Sequence, residues 1–172
     1  MTPKAKSDGK VTDSHTRWPH ARIKAMNKLM ESVKDGWKPG RVDIALIETL
    51  AIAPSKEAQA LQAIRFLDMI DDDGVPTEKW DEIKRAYQPT MRGLAESKYA
   101  PLFERIPNKL ITQESVVNFF IKSGYGRDTA EYQGMFFGWL CRQAGIQVPN
   151  LPETFKRARF GSKPRTKTSR PT

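Results

Sequence analysis

The residues able to do chemistry are few. His15 and His20 are the only histidines, both near the N-terminus, where His15 is expected to be flexible and His20 a solvated side chain flanking the first helix. Cys141 is the only cysteine, which excludes an intrachain disulfide and a Cys-based metal cage. It sits in an apolar run and reads as a small core residue. Asp71, Asp72 and Asp73 precede Gly74. Three consecutive carboxylates on a turn point in different directions, and no second acidic cluster accompanies them, so a solvated acidic turn is expected rather than a metal site. The chain has no HExxH, no phosphate-cradling glycine loop and no nucleophile elbow. Gly124-Tyr125-Gly126 lacks the preceding strand that a nucleotide fold needs. The expectation is a protein without catalysis, bound metal or cofactor.

What remains is binding. Lys56, Gln59, Gln62 and Arg65 recur along one predicted helix. Gln and Arg suit base edges, because their paired donors and acceptors match adenine and guanine in the major groove. A C-terminal run, Lys156, Arg157, Arg159, Lys163, Arg165, Lys167 and Arg170, offers nonspecific phosphate contacts. The net charge is +9, but residues 153–172 alone hold seven Lys/Arg and one Glu. Residues 17–152 carry 19 basic and 17 acidic side chains, so the folded part is nearly balanced. The acidic turn at 71–73 would repel a phosphate backbone. The expected function is DNA binding, with a protein-interaction or dimerisation module, a subunit of a larger bacterial system, as the alternative. Ala58 and Met69, on the predicted outer face of the same helix, would serve that alternative.

The elements that must position these residues are helical. Ile23, Met26, Leu29, Met30 and Val33 set a first helix over residues 21–34, ended by Gly36 and Lys38-Pro39-Gly40, with Trp37 folding back as an anchor. A second helix is expected from Val42 to Ile52. Ser55 is placed to cap a third, whose stripe is Ala60, Ala63, Ile64, Leu67 and Ile70. The predicted core of this half is Ile23, Leu29, Ile47, Leu50, Ile64, Leu67 and Trp80. Asp73-Gly74 marks a tight turn, Thr77 a cap for the next helix, and Pro89 its end. Beyond it, Pro101 breaks a helix, Thr112 caps one running to Lys122, and Asp128 caps a last one that ends at Gly145. No stretch shows strand alternation, and none approaches the roughly 20 apolar residues of a membrane span. The N-terminus has no apolar signal core. With a mean hydropathy of -0.60, these features predict a cytoplasmic protein.

Helix, acidic-glycine turn, then a capped helix also matches the back half of a winged helix–turn–helix. The stretch from about Ile44 to Trp80 resembles a bacterial domain family of unknown function. It does so through Ser55, Ala63, Phe66, Leu67, Ile70, Asp71, Gly74, Pro76, Thr77 and Trp80. Tyr99-Ala-Pro-Leu-Phe103 and the block from Phe119 and Phe120 to Ala144-Gly145-Ile146 resemble its second half. Asp68-Met69 departs from that family's more typical Gly-Leu. The resemblance covers about residues 17–147 and implies a winged-helix-like half followed by a helical half. It carries over no activity and no functional residue. The reading is therefore a mainly α protein with at most one short β-hairpin, at 71–76. Its parts are a disordered tail over 1–16, a winged-helix-like half over 17–88, a helical half over 89–148 and a basic disordered tail over 149–172.

Overall fold

A computed structural model describes residues 17–156, and the chain divides into two compact units between Lys84 and Arg85. Among the described residues there are eight α-helices, one 3-10 turn and no strand. The chain is mainly helical, as its periodicity requires.

The first unit opens with α1 (Ile23–Lys34), which buries Ala25, Met26, Leu29, Met30 and Val33, while Ile23 is only half-buried. Trp37 folds back as expected. Its ring lies 5.6 Å from that of Trp80, and its carbonyl accepts the Trp80 indole N–H at 2.9 Å. Helix α2 (Ile44–Thr49) is capped by Asp43, whose carboxylate accepts the Leu46 amide at 2.8 Å. It is shorter than the sequence predicts, because Ala51 adopts a φ of 48° and turns the chain out of the helix. That turn leaves Leu50 39% exposed, against its expected core place, and buries Ile52 instead.

Helix α3 (Glu57–Phe66) buries Ala60, Leu61, Ala63 and Ile64. Ser55 is not its cap. It has a φ of 61°, Lys56 holds the N-cap position, and the Glu57 carboxylate reaches back to the Ser55 amide at 2.9 Å. The helix stops at Phe66, and Asp68, at φ 55°, reverses the chain. Met69, expected outside, is therefore fully buried.

The predicted hairpin is a turn with a single antiparallel bridge, Ile70 to Pro76. One Asp71 carboxylate oxygen accepts the amides of Asp73 and Val75, both at 2.9 Å. Gly74 has a φ of +83°, and its carbonyl accepts the Val42 amide at 2.7 Å. A Cβ at Gly74 would lie 2.4 Å from the Val42 carbonyl oxygen, so only glycine fits that approach. Thr77 then accepts the Lys79 amide at 3.2 Å and starts α4 (Glu78–Arg85).

In the second unit, α5 (Tyr87–Lys98) contains Pro89 in its first turn, where a missing amide costs nothing, so Pro89 does not close the preceding helix. The chain breaks at Tyr99 into α6 (Ala100–Arg105), followed by a 3-10 turn (Asn108–Leu110). Thr112 and Ser115 form a reciprocal capping box that starts α7 (Gln113–Lys122). Helix α8 (Arg127–Ala144) begins after Gly126, with Asp128 in its first turn rather than at the cap. Gly145, at φ 68°, ends it. Helix α8 packs against α5 and α7 and buries Phe136, Phe137, Trp139, Leu140 and Cys141.

The segment expected to be tail from residue 149 is packed as far as Lys156. Leu151 lies over Gly138 and Phe155 over Gly134. Gln113 holds the Lys156 backbone at both its carbonyl (2.6 Å) and its amide (3.0 Å). Two helical glycines leave space that these side chains fill.

Candidate nucleic-acid interface

Helix α3 turns 100° per residue, so Gln59, Gln62 and Phe66 share a side, with Ala58 and Arg65 flanking it. Lys56, Gln59 and Gln62 are half-buried, while Ala58 and Arg65 are exposed. The lead-in to α1 reaches the same side through Phe66. Trp18 is buried, and its ring lies 5.9 Å from Phe66 on that shared side. The Gln62 amide nitrogen is buried and has no hydrogen-bond partner among the described residues. Of the four predicted contact residues, only Arg65 stands fully outward. Its guanidinium donates to the Asp72 carbonyl at 3.4 Å, a long bond that ties it loosely to the acidic turn.

The positive charge of this unit lies elsewhere. Residues 17–30 contain Arg17, His20, Arg22, Lys24 and Lys28 and no acidic side chain. His20 titrates below its ordinary value of 6.5, first because it is partly buried and then because the charges of Arg17 and Lys56 oppose its protonation. Arg17 and Lys56 therefore flank a neutral His20 beside the start of α3. The spacing argument found Lys56 but missed Arg17 and His20. The legible signal was the acid-free run. Seven acidic residues fall between 68 and 82, against one lysine, so the two signs are segregated.

Lys156 is exposed at the end of the packed segment. Arg157, Arg159, Lys163, Arg165, Lys167 and Arg170 lie outside the described residues, as does His15.

The remaining candidate groups have structural surroundings. Asp71 is engaged in the turn, and Asp72 and Asp73 are exposed. Among the described residues no group of three or more His, Cys, Asp or Glu side chains is placed to hold a metal ion. Burial pushes the Cys141 thiol up to about 12, despite the opposing charge of Arg142. Burial also raises Tyr99, which lies edge-on to Phe137 at 4.9 Å, and pushes Tyr87 up to about 12. Tyr87 donates a short hydrogen bond to the Gln143 side-chain oxygen. Gly124-Tyr125-Gly126 connects α7 to α8. No described helix is long and apolar enough to cross a membrane.

Comparison with known proteins adds the family and no activity. No curated protein and no solved structure matches the chain. A family model does match, over residues 19–147, which is most of the chain and spans both units. The protein belongs to the family of unknown function DUF5343.

Proposed function

We propose that the protein is a non-enzymatic, cytoplasmic nucleic-acid-binding module whose first unit is winged-helix-like. The observation that carries this reading is the concentration of cations on the acid-free lead-in and α1, joined by Lys56 at the start of α3. Two further features support it. The order α1, α2, α3 and glycine turn follows a winged helix, and the Val42–Gly74 main-chain bond joins the α1–α2 connection to the turn, where a winged helix has its sheet. In this reading Arg65 contacts a base edge, Lys56 with Arg17 contacts phosphate, and the basic residues from Lys156 onward add affinity without choosing sequence. Gln59 and Gln62 contribute only where their exposed edges reach.

The test is a titration on duplex DNA at several salt concentrations. Full-length protein should bind at low salt and weaken with a log–log slope of about -0.9 per phosphate contacted. Truncation after Lys156, which keeps Phe155 in place, should flatten the slope and leave sequence preference intact. Arg65→Ala should reduce preference more than slope. Absence of binding by the full-length protein at low salt ends this reading.

The alternative is a protein-interaction or dimerisation surface. It is favoured by exposed aliphatic residues of the first unit, Ile44 at 48% and Val75 at 44%, rather than by the buried Met69. Association through such a surface would depend little on salt, and sedimentation of the isolated protein would detect a homodimer.

A further inference from the structure

Helix α1 forms one wall of an open groove of about 670 Å³, and residues 51–54 form the other. Its floor is apolar, since Ala25, Ile52 and Ala53 are buried. Arg22, Lys24 and Lys28 line it, all exposed. Lys24 and Lys28 stand four residues apart and so share a face of α1, separated by about 6 Å of helical rise. Lys28 is fixed: its ammonium donates to the carbonyls of Leu50 and Ala51, each at 3.2 Å. Those partners are neutral carbonyls, so the hydrogen bonds themselves leave its charge in place. The side chains of Arg22 and Lys24 have no ion pair or hydrogen bond among the described residues. One carboxylate, Glu31, also lines the groove. It lies one turn beyond Lys28 and offsets that end, which centres the positive field on Arg22 and Lys24.

We propose that this groove binds a phosphate group. Three cations against one carboxylate leave a net positive charge, which attracts an anionic phosphate. A guanidinium and two ammonium groups lining one groove suit a group that presents several acceptor oxygens. The apolar floor excludes water from one side and strengthens the attraction. Assigning that phosphate to a nucleic-acid backbone rests on the function proposed above, whereas the groove's preference for phosphate does not.

Two measurements on the full-length protein separate these parts. In the first, uniformly 15N-labelled protein is titrated with inorganic pyrophosphate. Saturable shifts are expected at the amides of residues 22–28 and 51–53. Arg22→Ala with Lys24→Ala should weaken that binding at least tenfold, and Glu31→Gln should tighten it two- to threefold. Shifts that never saturate at the groove, or that the double substitution leaves unchanged, overturn the proposal. In the second, the double variant is compared with the natural chain on duplex DNA. Loss of this one phosphate contact should reduce the magnitude of the salt slope by about 0.9. An unchanged slope, with the natural chain binding, overturns the assignment to backbone phosphate. If pyrophosphate saturates the groove but duplex DNA does not bind at low salt, the phosphate site is supported and the nucleic-acid function falls.

Discussion

In the second unit one helix, α8, runs 18 residues and buries side chains around much of its circumference. Its aromatic residues meet those of α6 and of the break before it, with Tyr99 and Phe103 against Phe137 at 4.9 and 5.5 Å. In the first unit the longest helix has 12 residues, and α2 has six. Short helices are marginal by themselves, and here the chain between them supplies hydrogen bonds to main-chain carbonyls. Val42 donates to Gly74, Thr77 to Met69, and the Trp80 indole to Trp37. The second unit is thus held mainly by side-chain packing along regular helices. The first depends in addition on turns whose geometry must be exact to a few tenths of an ångström. Charge differs in the same way. Residues 85–156 carry nine basic and six acidic side chains, spread along the chain. Residues 17–84 carry 11 and 12, gathered into opposite stretches. A nearly neutral unit can still present a strong local field if its signs are sorted.

The sharpest way to break this contrast is in the packed unit. Phe137→Ala should cost about 3–5 kcal/mol, because Phe137 is fully buried and its loss leaves a cavity. A loss below about 1 kcal/mol in a urea melt would show that the aromatic cluster does not hold the unit. Leu67→Ala, fully buried at the end of α3, should cost about 2–5 kcal/mol. A value under about 0.5 kcal/mol would mean that the register of α3 is different.

The turn-dependent unit is tested by glycine. Gly74→Ala should cost about 2 kcal/mol or more, combining a positive φ with a collision against the Val42 carbonyl. Gly93→Ala in α5, where the added Cβ meets nothing within 4 Å, should stabilise by about 0.5–1 kcal/mol. Equal effects at the two positions would erase the distinction between the units.

The smallest effect concerns His20. Its folded-state pKa lies below 6.5, so the unfolded chain binds more protons at mildly acidic pH. The folded state therefore loses stability as pH falls through 6.5 and below. His20→Gln should show a smaller loss in thermal melts between pH 7.5 and 5. An identical pH dependence in the two proteins would mean that neither burial nor the charges of Arg17 and Lys56 act on His20.

Much of this molecule is written locally in its chain. The stripes of α1, α7 and α8, the caps at Thr112 and Thr77 and the stop at Gly145 all follow from neighbouring residues, because periodicity and capping act within one or two turns. The family resemblance, carried by residues 44–80, rests on the same local features. The sequence also located the excess charge, since charge needs no fold to be counted. Tertiary structure decided the rest. Ala51, Ser55 and Asp68 adopt positive φ without being glycine. Such strain persists only where surrounding packing overrides it, so no local rule could end α2 and α3 where they end or turn Met69 inward. On the side of α3 that carries Gln59 and Gln62, Phe66 meets Trp18, 48 residues earlier in the chain. That contact, and the Phe155 ring lying in the space above Gly134, join residues far apart in sequence. Only the packed chain brings such residues within reach of each other.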